Sequence, residues 1–195
     1  MNPTRQLPFS EEQQRLYEAA RSRINPKRLQ QLLFDLTNIH SPSGAARGAS
    51  EFMQKYLADM GMPTSRYYPM NDETGNVLAE KRGSGNGASL LLYAPIDTHL
   101  ERTPGEEVLV GEGKEADLQP FAQQLDDWVF GLGASNPKGM VATLTEVANA
   151  VLDADIPLVG NLMVGMADGG MPQDISARNS GMSNGVIHML NRGMY

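Results

Sequence analysis

The run Leu90-Leu91-Leu92-Tyr93-Ala94-Pro95-Ile96-Asp97-Thr98-His99 passes from unbroken apolar residues to polar ones within a single segment. Together with Ser89, its apolar part to Ile96 reads as a strand of the kind buried on both faces. Asp97, Thr98 and His99 then leave the strand's C-terminal end, the place where open α/β sheets put their sites. A second stretch, Trp128-Val129-Phe130-Gly131-Leu132-Gly133-Ala134-Ser135-Asn136-Pro137-Lys138-Gly139, leads through glycines into an amphipathic helix marked by Val141, Leu144, Ala148 and Val151. Asn161 to Ala167 reads as another buried strand, followed by the polar and glycine-rich Asp168 to Ser180.

Upstream the pattern is helical. Ser10 with Gln13 fits a capping box that opens a polar helix to about Ile24. Asn25-Pro26 is an N-cap followed by proline at the first helical position, and Leu29, Leu32, Leu33, Leu36 and Ile39 keep one face. The Ser41-Pro42-Ser43-Gly44 turn closes that helix, and a third, with Ala45, Ala49, Phe52, Met53, Tyr56, Leu57 and Met60 on one side, ends at Gly61. Ser65 to Pro69 and Asn76 to Lys81 read as strands. Alternating helices and strands of this kind imply three α/β/α layers on a mixed, largely parallel sheet. The glycine-rich Gly83 to Gly87 precedes a strand instead of joining strand to helix, so a flexible hairpin turn suits it better than phosphate cradling.

A chain of 195 residues, 41% hydrophobic and 20% charged, suits one globular domain that buries ~70% of its unfolded surface. The net charge of −7 and the scatter of 16 basic residues exclude a phosphate-binding face, hence no nucleic acid. Without cysteine there is no disulfide, thiol nucleophile or Cys-type zinc site. No membrane span is expected, since no apolar stretch approaches ~18 residues. The polar start of the chain points to a cytoplasmic location.

The order of four segments carries a resemblance. Leu36-Thr37-Asn38-Ile39-His40-Ser41-Pro42-Ser43-Gly44, then Leu57-Ala58-Asp59-Met60-Gly61-Met62, then Gly75-Asn76-Val77-Leu78-Ala79, and the two stretches quoted above resemble the zinc amidohydrolase and peptidase family of acetylornithine deacetylase, succinyl-diaminopimelate desuccinylase and aminoacylase. The resemblance implies residues 1–26 as a helical extension and 27–195 as the N-terminal part of a hydrolase-like catalytic domain. It also implies a small amide substrate, an N-acyl or N-carbamoyl amino acid or small peptide. Zinc is the family's cofactor: a histidine and a bridging aspartate hold two ions, a second aspartate orients the histidine, and an acidic pair supplies a general base and another ligand.

Transferred position by position, that machinery is replaced. Pro95 stands at the zinc histidine, Asn136 at the bridging aspartate, and Gly169 and Gly170 at the acidic pair, while Asp97 keeps the orienting position with no histidine to orient. Zinc needs three or four donors, so no cofactor is expected for the chain alone. Asp97 and Asp168 remain as candidate catalytic acids, and His99 as a displaced metal ligand. Each has a plain structural alternative: Asp97 can hold the strand-end loop, His99 can be a polar loop residue, and Asn136 before Pro137 suits a helix N-cap. His40 and His188 fall on helix-like segments, and the 12 methionines suit core filling.

Because the family continues with further strands, the resemblance implies an incomplete sheet with an apolar edge. A second chain that completes the fold, or self-association, is the expected partner. Three readings stay open: a diverged hydrolase completed by another chain, a non-catalytic partner or regulatory subunit, and a truncated fragment of a longer hydrolase.

Overall fold

The computed structural model describes residues 8–98, 100, 118–170 and 184–193. Local signals in the sequence account for its first elements. Helix α1 (Glu11–Arg21) carries the full capping box, Ser10 Oγ accepting from the Gln13 amide while Gln13 bonds back to the Ser10 amide. Helix α2 (Pro26–Thr37) starts with Asn25 Oδ1 accepting from the amides of Lys27 and Arg28. Helix α3 (Arg47–Asp59) buries Ala49, Met53 and Leu57 and is closed by Gly61 at φ 98°, a conformation that costs glycine nothing.

Strands β1 (Arg66–Pro69), β2 (Gly75–Lys81) and β3 (Leu90–Pro95) follow, then a two-stranded ribbon of β4 (Gln123–Leu125) and β5 (Trp128–Phe130), helix α4 (Lys138–Asp153), strand β6 (Leu162–Ala167) and helix α5 (Asn184–Asn191). The main sheet has the order β1-β2-β6-β3 and is mixed. Parallel pairing is confined to β3 and β6, with Leu92 opposite Val164, whereas β1–β2 and β2–β6 are antiparallel.

Side-chain alternation sorts the residues into two layers. Val77, Ala79, Leu92, Ala94, Leu162, Val164 and Met166 pack against α2, α3 and α4 in the main core, and Leu78, Leu91 and Met163 face Met189 and Val186 of α5. A side chain at Gly165 would meet Met189, its Cβ lying 2.8 Å from Cε, so this glycine lets α5 approach the sheet. Arg28 ties α2 to α4: its Nε and Nη2 donate to Glu146 at 2.7 and 2.9 Å, and Nη1 donates to Asp153 at 2.7 Å.

Several sequence expectations need correction. The strand buried on both faces is β6, in which every residue is buried, whereas β3 lies at the sheet edge with Leu90 57% exposed. Gly83 to Gly87 is not a hairpin turn, because β2 and β3 are not neighbours in the sheet. It packs under the segment before β6, with Ser84 N donating to Leu158 O and Gly85 N to Val159 O. A Cβ at Gly83 would fall 2.3 Å from Gly160 O, so close backbone approach is what these glycines serve. Asn136 caps nothing: α4 begins after Pro137, no side chain bonds its first amides, and Asn136 is exposed. Among the described residues no helix is long and apolar enough to cross a membrane.

Candidate functional site

Parallel neighbours β3 and β6 end side by side, so the residues that follow them meet. Asp97 and Asp168 are both buried, at 0% and 2% exposure. The turn after α2 lies across them. Thr98 N donates to Ser41 O at 2.8 Å, Ser43 N donates to Thr98 O at 2.9 Å, and Ser41 Oγ donates to Ile96 O at 3.1 Å. The Ser41-Pro42-Ser43-Gly44 turn thus adds a short parallel bridge, Pro42 to Thr98, beyond the end of β3.

Each carboxylate is filled with donors from this frame. Asp97 accepts from the Ser43 hydroxyl on Oδ2 and from Gly170 N at 3.1 Å on Oδ1. Asp168 accepts from Gly44 N at 3.1 and 2.9 Å and from Thr74 Oγ1 at 2.7 Å. Burial pushes the Asp168 carboxyl above the usual aspartate range and the charge of Asp97 adds to that, while Thr74 and the amides of Gly169 and Gly44 act in the opposite direction. The Asp168 amide donates to Asn76 Oδ1 at 3.2 Å, and Asn76 Nδ2 donates to Gly185 O at 2.9 Å and lies 3.2 Å from His188 Nδ1. Burial lowers the His188 pKa, with Arg192 adding to it. A neutral ring that accepts from Asn76 satisfies this geometry, so His188 is a structural contact between α5 and β2.

Pro95 and Gly170, two of the positions that the resemblance assigns to metal ligands, close against each other. A Cβ on Gly170 would lie 2.4 Å from Pro95 Cβ, a distance that real Cβ atoms do not show, and Gly169 sits at φ 72°. Asn136 is exposed on the segment before α4. Pro95 has no donor. These residues do not fit a zinc pair. Among the described residues no group of three or more His, Asp or Glu side chains converges as a metal site does. His99 lies outside the described residues.

The sequence reading passed over Lys138, Thr74 and Asn76. Lys138 is 1% exposed, and its Nζ donates to Ile39 O at 2.6 Å. Burial lowers its pKa to about 8. Its stem runs against Gly133, where a Cβ would come within 3.1 Å of Lys138 Cδ and 2.7 Å of Thr98 Cγ2. A lone lysine at the start of a helix whose first two turns are otherwise uncharged was the available signal for it. Thr74 and Asn76 carried none, because their partners come from strand pairing distant in sequence.

No family model matches the chain. Solved structures do. The fold is similar to the dipeptidase Dug1p from Saccharomyces cerevisiae, with a TM-score of 0.62 and 13% identity over 91% of this chain and 37% of that one. It is similar to the aminopeptidase LapA from Legionella pneumophila, with a TM-score of 0.60 and 10% identity over 99% of this chain and 45% of that one. It is also similar to the aminopeptidase PepT from Bacillus cereus, with a TM-score of 0.55 and 15% identity over 75% and 37%. The likeness is one of fold, and the chain spans less than half the length of each of these peptidases.

Proposed function

We propose that this chain is a non-catalytic domain of the metallo-amidohydrolase and peptidase lineage, in which the place of the metal site has become structural packing. The observation that carries this reading is the contact between Pro95 and Gly170. Ligands at these two positions would have to extend into a shared space and leave an ion between them. Here a proline ring meets bare backbone, and a methyl group at 170 would not fit. The acids that survive are engaged as well: the Asp97 oxygens take a hydroxyl and an amide, and those of Asp168 take an amide and a hydroxyl. With no imidazole or free carboxylate at the matching positions, water has no Lewis acid to activate it there.

The raised pKa of Asp168 favours a second reading. A buried carboxyl with a raised pKa at the end of a strand is of the kind that serves as a general acid or base. In that reading Asp97, Asp168 and His99 act on a small amide substrate within a site that another chain completes. Both carboxylates are buried under the 41–44 turn, which gives a substrate no approach among the described residues, and the first reading is preferred for that reason.

Zinc content after loading and dialysis tests the proposal, together with an assay on N-acyl amino acids and dipeptides. The expected result is far less than one zinc per chain and no turnover above buffer. A retained ion at one per chain that His99→Ala abolishes would overturn it, as would hydrolysis lost in Asp168→Asn.

A further inference from the structure

The exposed side of α4 breaks the usual rule for a surface helix, whose outward stripe is polar or charged. Its outward residues include Met140 at 51% exposure, Val147 at 42% and Thr143, with Leu144 half-buried beside them. The helix has three charged residues besides its apolar ones: Lys138 is buried, Glu146 is buried against Arg28, and Asp153 stands at the far end. Beside this face runs β3, the edge strand of the sheet among the described residues, with Leu90 57% and Tyr93 36% exposed. Edge strands are ordinarily protected by charges, bulges or a covering element. From Leu90 to Ala94 this one has no charge at all. A groove of about 580 Å³ joins the two, lined by Leu92, Tyr93, Met140, Thr143, Leu144 and Val147 among others.

We propose that this strip is where a second copy of the chain docks, the two β3 edges pairing antiparallel across a two-fold axis so that both four-stranded sheets become one. Charge selects this occupant. Each copy carries a net −7, so most pairs of surfaces repel when two copies meet. The strip is free of charge on β3 and on the outward face of α4, and a two-fold axis sets like against like. An uncharged surface is complementary to itself; an acidic or basic partner would find nothing there to pair with. Antiparallel pairing also gives each β3 edge the donors and acceptors it lacks, and an isologous contact uses both β3 edges, so it closes at two copies with β1 as the outer strand on either side.

Size sets the expected strength. Six residues of strand run about 20 Å, a contact at the small end of stable interfaces, so association in the micromolar range is expected. This inference does not depend on whether the chain hydrolyses anything, and its test reads mass instead of metal or turnover.

Sedimentation and light scattering of the full chain from about 5 to 200 μM should show a shift from the 21.2 kDa monomer to twice that mass. The double variant Met140→Lys, Val147→Lys changes two exposed positions, and should weaken association at least tenfold while keeping the wild-type melting curve. Hydrogen exchange on the unmodified chain adds a measurement that needs no variant: amides of Leu90 to Ala94 should gain protection as concentration rises. A monomer at every concentration overturns the proposal and leaves the strip to a different chain. So does a dimer that the two lysines leave intact, an open-ended polymer, or unchanged exchange in β3.

Discussion

Pro95 and Gly170 illustrate how much a single contact can decide. Because the Cβ of one occupies the space that any side chain on the other would need, Gly170→Ala should destabilise the fold by about 1–3 kcal/mol, the cost of overpacking a filled site. Pro95→Gly removes the obstructing atoms, so the double variant should recover at least about 1 kcal/mol relative to the sum of the singles. Urea melts of the four chains measure this, and strict additivity would mean that the two residues do not touch. Lys138 makes a prediction of the opposite kind, through protons. Its folded pKa is about 8 against 10.5 in an ordinary lysine, so between those values the unfolded chain binds more protons than the folded one. Stability from this group therefore rises with pH across that window, and the cost of burying its charge is present in full below pH 8. Relative to Lys138→Met, the wild type should gain roughly 2–3 kcal/mol from pH 7 to 10.5. A flat difference across that range would mean that the amine reaches water.

At the scale of elements, Arg28 and Glu146 join α2 to α4. Glu146 is 2% exposed and also accepts from Asn25 N at 2.7 Å, so it anchors the N-terminus of α2 as well as its arginine. Glu146→Ala should cost about 2–3 kcal/mol, below the upper range for broken buried pairs because Arg28 is 28% exposed and keeps Asp153. Arg28→Ala, which leaves the buried carboxylate with only an amide, should cost at least as much in thermal unfolding. The elements that were legible in the sequence are those fixed by neighbours in the chain. The Ser10 capping box, the Asn25-Pro26 start of α2 and the Gly61 stop of α3 each depend on residues within four positions, and each formed as read. Elements settled by distant partners were harder. The apolar run of β3 reads the same whether the strand is central or at an edge. The β4–β5 ribbon went unread because its turn is Asp126-Asp127, with Asp126 at φ 51° and no glycine to announce it. The helix-capping reading of Asn136 was locally sound and still failed, since α4 starts only after Pro137. At the site, the strand-end placement of Asp97 and Asp168 was readable from pattern alone. Their hydrogen-bond donors were not, because Gly44, Thr74 and Gly170 converge only through the sheet order.

For the molecule as a whole, the balance between lineage and present use can be tested by trying to reverse it. Pro95→His, Asn136→Asp, Gly169→Glu and Gly170→Glu together return the donor types that the resemblance assigns to a two-zinc site. On donor count alone the variant should bind metal. Packing argues otherwise. A glutamate at 169 inherits φ 72°, a conformation that costs an L-residue on the order of 1–2 kcal/mol. One at 170 must displace residue 95 from a Cβ distance of 2.4 Å, at about 1–3 kcal/mol more. The two new carboxylates at 169 and 170 would then crowd the carboxyl ends of β3 and β6, where Asp97 and Asp168 are already buried. Domains of this size are stable by only about 5–15 kcal/mol, so the sum consumes much of the margin before any ion contributes. The four-fold variant should therefore lose its cooperative thermal transition, or melt at least about 10 °C lower, with zinc well below one per chain and no hydrolysis of N-acyl amino acids. Circular dichroism melts with and without zinc decide the matter. A variant that folds as the wild type does and is stabilised by the metal would show that the site was left open, and that the loss of its ligands alone silenced it.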